Sequence, residues 1–249
     1  MRLSAKDLEH ARAALHSGIA RLESAGFVVG ERPSLSVEPN LKIMGYTRGP
    51  AGQREIVIAG RALRFGVVDT LVMHELSHIV MSNIGHPSHN DRLIISVLHR
   101  YHRKLAEWKI SILADGVNHV QNVYTDDVLA KALSKKQTKD TRSFFYSWLK
   151  TVYPRGRTAE QDKWSAVAVV LNNAFAVASL RRRRMLKPLA FEKKMFAKNG
   201  KFLKSAGLDE KTFGWFADFF TNLPKKTTRV GYRKLLIAFL DKVVEVTED

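Results

Sequence analysis

His74, Glu75 and His78 stand in the stretch VVDTLVMHELSHIVMSNIGHPSHND, residues 67–91. On a helix, residues four apart lie about 40° apart around the axis and about 6 Å apart along it. Two histidines at that spacing can point at one metal ion. A glutamate beside the first faces the same opening, where it can take a proton from water and pass it to a leaving amine. The surroundings make a coincidence costly. Val67, Val68, Leu71, Val72, Ile79 and Val80 make the segment apolar, and polar side chains buried there without partners would be destabilising.

Cysteine is absent from the 249 residues. Any metal must therefore be held by His, Asp or Glu, and neither a disulfide framework nor a zinc ribbon can form. A third ligand is available from two regions. One is ILADGVNHVQNVYTDDVLAKAL, read as part of a helix over about 108–133. There Asp115, His119, Asn122 and Asp126 fall within about 60° on one face, among the apolar Ile112, Leu113, Val117, Val120 and Val123. His119 is the best ligand chemically, with Asp126 or Asp115 orienting an imidazole or ligating directly. The other region is the loop GHPSHND, with His86 and His89. The spacing favours His119 over His89, because two packed helices hold ligands more rigidly than a Gly-Pro-Ser loop. His99 and His102 read as exposed helix residues. No oxyanion donor is identifiable in the sequence; Tyr124 is offered by proximity alone.

These residues must be carried by elements the sequence also outlines. Residues 5–25 have apolar positions at helical spacing (Leu8, Ala11, Leu15, Ile19, Leu22). SLSVEP and REIVIAGRAL read as strands around the turn-rich TRGPAGQ. Helices are expected at about 67–83, 91–107 and 108–133. KALSKKQTKDTR then reads as a polar connector, followed by helices at about 141–152, 159–186, 189–198, 209–221 and 228–246, punctuated by Pro154, Pro188, Gly200 and Pro224. The expected fold class is α+β and mostly helical, with a small N-terminal sheet, an active-site helix and an all-helical basic C-terminal half. The domains expected are 1–133 and 134–249.

The strand-then-helix unit REIVIAGRALRFGVVDTLVMHELSHIV resembles that of zincin metallopeptidases of the gluzincin type. The longer stretch from LKIMGYTRGPAGQ to HELSHI is similar to SprT/Spartan-like proteases. In that family the third ligand is a histidine of a Gly-His loop, which corresponds here to His86 or His89. HVQNVYTDDVLAKAL resembles instead the second metal-binding helix of gluzincins, in which a ligand is followed four residues later by Asp. Asn122 and Asp126 fill those places, with His119 one turn earlier as a substitute. EWKISILADGVN also resembles metallopeptidase domains that accompany von Willebrand A modules. The resemblance covers about residues 35–133. It implies a zincin-like core, bound Zn2+, a protein or peptide substrate and Glu75 as general base.

The net charge is +17, and it is lopsided. Residues 1–130 carry 15 Lys+Arg against 13 Asp+Glu, whereas 131–249 carry 26 against 11. Such an excess favours polyanions, so nucleic acid is a candidate partner of the basic half, through RRRR at 181–184 and the interspersed Trp148, Tyr153 and Trp164. A nucleic-acid-associated protein with a structural or vestigial metal site is the alternative function, and a DNA-associated SprT-like protease combines the two. The run SAVAVVLNNAFAVASL, 165–180, is short of the ~20 residues a membrane span needs and has two Asn near its centre. A buried helix is the expectation, and a membrane-surface protease anchored by 165–184 the weaker reading. The N-terminus lacks an apolar signal-peptide region. A cytoplasmic protein is expected.

Overall fold

In the computed structural model the described residues are 4–30, 32–149, 158–186 and 189–248, with the side chains of 147 and 148 left aside. They are mostly helical. Ten α-helices accompany one small sheet of three strands, which makes the class α+β. Tyr153, Pro154, Pro188 and the end of the helix expected at 141–152 lie outside the described residues, as does the side chain of Trp148.

The chain forms two compact units that do not follow sequence order. The first comprises Met1–His89 and Thr125–Lys139, the second Asn90–Tyr124 and Asp140–Asp249. One boundary of this grouping, between Lys139 and Asp140, falls near the sequence division at 133, and one long helix contributes to both units.

The first unit opens with α1 (Ala5–Ser24). Ser4 and Asp7 form a reciprocal capping box at its start, which satisfies two otherwise orphaned backbone donors. Strands β1 (Ser34–Glu38), β2 (Gly45–Arg48) and β3 (Glu55–Ala59) give the sheet order β1-β3-β2. β1 runs parallel to β3, and β2 antiparallel. β2 arises from LKIMGYTR, between the two expected strands, and its end overlaps the turn-rich TRGPAGQ. Gly45, Tyr46 and Thr47 are half-buried and Arg48 is exposed, so the strand lacks the apolar run that announces a central strand. β3 supplies that run, with Ile56, Val57 and Ile58 fully buried.

After the short helix α2 (Gly60–Arg64) comes α3 (Val68–Asn83), which packs on α1, β2 and β3 through Val68, Val72, Met73, Leu76, Ile79 and Val80. Gly18 lets α1 approach α3. A Cβ there would sit 2.9 Å from Leu76 Cδ1 and 3.3 Å from Met73 Cγ. Gly85, at φ 66°, closes α3 in the left-handed region, and a 3-10 turn, Pro87–His89, follows. The unit is completed by the end of α5 (Glu107–Ala132) and the start of α6 (Lys135–Trp148). The expected connector KALSKKQTKDTR is thus largely helical. Ser134 starts α6, accepting at Oγ from the Gln137 amide, a cap that charge and polarity alone conceal.

The second unit holds α4 (Asp91–His102), most of α5, the remainder of α6, α7 (Ala159–Arg182), α8 (Leu189–Ser205), α9 (Thr212–Thr221) and α10 (Arg229–Glu248). α7 is its central helix and packs on α8, α9 and α10. Among the described residues it alone is long and apolar enough to cross a membrane, yet 72% of its apolar window is buried within the protein. Its two asparagines have uses. Asn173 donates to Asn199 Oδ1 at 2.8 Å in the interior, and Asn172 borders a cavity. Phe213, Phe216, Phe220 and Phe239 complete the core.

Candidate metal centre

His74, Glu75 and His78 project from α3, whose apolar faces are fixed by α1 and the sheet. The Nε2 atoms of His74 and His78 are 3.2 Å apart. That is close to the edge of a tetrahedron of nitrogens around zinc, about 3.3 Å for Zn–N bonds of about 2.05 Å. His74 Nδ1 lies 3.1 Å from Asp126 Oδ1, which comes from the end of α5 and is 3% exposed. A carboxylate there accepts the Nδ1 proton and leaves the Nε2 lone pair directed inward.

The third imidazole is that of His89. Its Nε2 is 2.8 Å from His78 Nδ1, and its own Nδ1 is 2.8 Å from Ser88 Oγ. Thr125 Oγ1 lies 3.3 Å from His78 Nδ1 and 3.4 Å from His89 Nε2. Ser88 Oγ also meets His86 Nδ1 at 2.7 Å. A continuous polar string therefore runs Asp126, His74, His78, His89, Ser88, His86.

The loop carrying His89 is well tied down. His86 N donates to Met81 O and His89 N to His86 O, while Pro87 and Ser88 are buried. Arg54, just before β3, reaches the end of α3, donating to Asn83 Oδ1 and Ser82 Oγ at 2.8 Å each. Burial, assisted by the charges of His86, His74 and Arg54, lowers His89 to about 3, which keeps its imidazole neutral near pH 7.

Glu75 is 5% exposed, and its Oε2 accepts a 2.9 Å hydrogen bond from Thr47 Oγ1 on the edge strand β2. Burial raises its carboxyl above the ordinary carboxylate range, opposed by the neighbouring His74 and the Thr47 hydroxyl.

As they stand, the rings are hydrogen-bonded to one another rather than converged on a point. No three His, Asp or Glu side chains among the described residues are set in a metal-holding group. The donor set nevertheless fits a zinc ion in kind. His74 and His89 each have Nδ1 held by an oxygen and Nε2 turned toward His78. His78 presents Nε2 to one and Nδ1 to the other, so a metal ion shared by all three imidazoles would require the His78 ring to turn.

His119 has aromatic neighbours. It belongs to the second unit, where its ring stacks on Phe175 at 5.1 Å between centroids and meets Phe220 edge-on at 6.4 Å. Its Nδ1 is buried without a partner among the described residues, and burial lowers its pKa to about 4. With Asp115, Asn118 and Asn172 it lines a cavity of about 230 Å3. The face predicted for α5 is real, but it serves two purposes. Seven residues separate His119 from Asp126, about 10.5 Å along the axis, so the stripe shares an angle and not a height. Tyr124 also belongs to the second unit and packs against Tyr232. Ser88 and Thr47 escaped sequence reasoning. A serine directly before a loop histidine was the available signal for the first, and β2 itself was the missing context for the second.

No protein-family model matches the chain, and comparison with curated proteins and with solved structures gave no match. The site must be judged on its own chemistry.

Proposed function

We propose that the chain is a zinc-dependent peptidase of zincin-like core, its metal held by His74, His78 and His89 with Glu75 as general base. The observation that supports this best is the meeting of a third imidazole, His89, with the HELSH pair, beside a buried carboxylate tethered to the edge strand. Zinc supplies Lewis acidity, polarising a peptide carbonyl and making water easier to deprotonate. Glu75 takes the proton of the attacking water on its carboxylate and returns it to the leaving amine. Thr47 holds Oε2, which fixes the plane of the carboxylate and leaves Oε1 for the proton. Asp126 and Ser88 orient His74 and His89 through their Nδ1 atoms, and Thr125 lies against His78.

The test separates metal binding from chemistry. Glu75→Gln is expected to keep zinc and the thermal transition of the parent while losing about 10²–10⁴-fold in the rate of casein cleavage, since an amide cannot accept the proton. An unchanged rate, on a substrate the parent cleaves, contradicts the assignment of Glu75.

A further inference from the structure

The four arginines 181–184 are the densest positive charge in the sequence, but three of them are committed inside the second unit. Arg181 bridges Glu192 and Asp218, at 2.7 Å to each. Arg182 Nη1 donates to Thr221 O and Leu223 O, capping the end of α9. Arg183 donates to Ser179 O and lies 5.9 Å over the Phe145 ring. Trp164 is fully buried, its Nε1 donating to Glu248. A phosphate-binding surface built on these residues would have to dismantle the fold.

α8 offers a different surface. At about 100° per residue, Lys193, Lys204, Lys201, Lys194 and Lys198 fall within an arc of about 140°. Met195, Asn199, Phe202 and Leu203 occupy the opposite, buried side. Lys193, Lys194, Lys201 and Lys204 are exposed and Lys198 is half-exposed. None of the five has an ion pair among the described residues. Two acids touch only the border. Glu192 is taken by Arg181, and Glu210 sits against Gly200.

Such a face differs from the mixed surface of α1. α1 mixes Lys6, Asp7, Glu9, Arg12, Arg21 and Glu23, whereas like charges three and four apart, as in Lys194, Lys198 and Lys201, are destabilising by a few tenths of a kcal/mol per pair. We infer that this lysine face of α8 binds the phosphate backbone of nucleic acid without reading sequence. Lys194 to Lys204 spans about 15 Å, the length of about four phosphates of one B-form strand at about 3.4 Å of axis each. Lysines act there as point charges that position a backbone and carry no base specificity. A membrane surface is the poorer fit, because Met195, Phe202 and Leu203 of α8 are consumed by the core and Leu189 is the single large apolar side chain of that helix left exposed, too little to insert. The inference is independent of the metal centre.

The experiment is fluorescence anisotropy of the full chain with a labelled 30-bp duplex of arbitrary sequence, in DNA and RNA forms, from about 50 to 200 mM salt. The combined variant Lys194→Gln, Lys198→Gln, Lys201→Gln is compared with a charge-matched control, Lys135→Gln, Lys136→Gln, Lys139→Gln, taken from exposed positions of α6. The α8 variant is expected to bind at least about tenfold more weakly at low salt and to flatten the log–log salt slope by about 2 to 3, since each lost phosphate contact removes about 0.9. The control is expected to change the slope by less than about 1. Lys201→Glu, tested singly, is expected to weaken binding more than Lys201→Gln, which guards against a folding defect in the combined variant. Three results overturn the inference: no binding of either duplex by the parent, equal loss in the two triple variants, or capture by phosphatidylserine vesicles without binding to duplex.

Discussion

At the scale of single residues, the site is a set of imidazoles whose orientation depends on their oxygen partners. Asp126→Asn keeps the shape but replaces the carboxylate that accepts from His74 Nδ1. It is expected to weaken zinc affinity by about 10–100-fold, measured by competition with a chromogenic chelator. An affinity equal to the parent's would mean that Asp126 does not orient His74. His119 gives a prediction of a different kind. Its pKa is about 4 in the folded chain, against 6.5 for an unperturbed imidazole. The unfolded chain therefore takes up a proton that the folded chain resists, so the neutral ring's contribution is complete above about pH 6.5 and is lost as pH falls toward 4. The stability difference between the parent and His119→Gln should shift with pH in that window, to the parent's disadvantage as pH falls. Denaturant unfolding of both proteins at several pH values measures it, and a constant difference would contradict the burial. The pair His74 and His78 was legible because helical spacing is a local property. Sequence alone ranks His89 below His119 because the rigidity of a loop comes from its hydrogen bonds. The bond from His86 N to Met81 O and the one between Ser88 Oγ and His89 Nδ1 cannot be read from composition.

At the scale of elements, α3 is positioned by how closely α1 can approach it. Gly18 is costly in a helix interior, by about 1 kcal/mol relative to Ala, and its use is the contact with Leu76 and Met73. Gly18→Leu should destabilise the protein by about 1–3 kcal/mol through overpacking, seen as a lower urea midpoint. No loss would mean that α1 and α3 are not in close contact there. The helix α5 explains the limits of pattern reading. Asp115, His119, Asn122 and Asp126 do share a face, yet the helix is about 39 Å long and contributes to both compact units. Periodicity reports an angle around an axis and is silent about which neighbour each turn meets. The edge strand β2 was missed for a related reason. Its residues are neither buried nor alternating enough to stand out, though Thr47 on it holds Glu75.

For the whole molecule, the charge asymmetry was visible in the sequence, but its distribution in space was not. The RRRR run looks like a polyanion site in one dimension. In three it is mostly internal wiring, whereas the scattered lysines of α8 collect on one face. Arg182→Ala should accordingly lower stability by about 1.5–3 kcal/mol, the range for hydrogen bonds to a charged group, and leave the salt slope of nucleic-acid binding unchanged within error. A normal melting profile with weakened binding would reverse that assignment. The same lesson applies to 165–180, whose apolar run is the centre of the second unit's core.

The central claim is that His89 completes a metal centre with His74 and His78. Zinc content per chain, determined by elemental analysis after dialysis against a weak chelator, tests it most directly. The account predicts about one zinc for the parent and for His119→Ala, and loss of stoichiometric zinc from His74→Ala, His78→Ala and His89→Ala. Zinc retained in full by His89→Ala and lost from His119→Ala would contradict it.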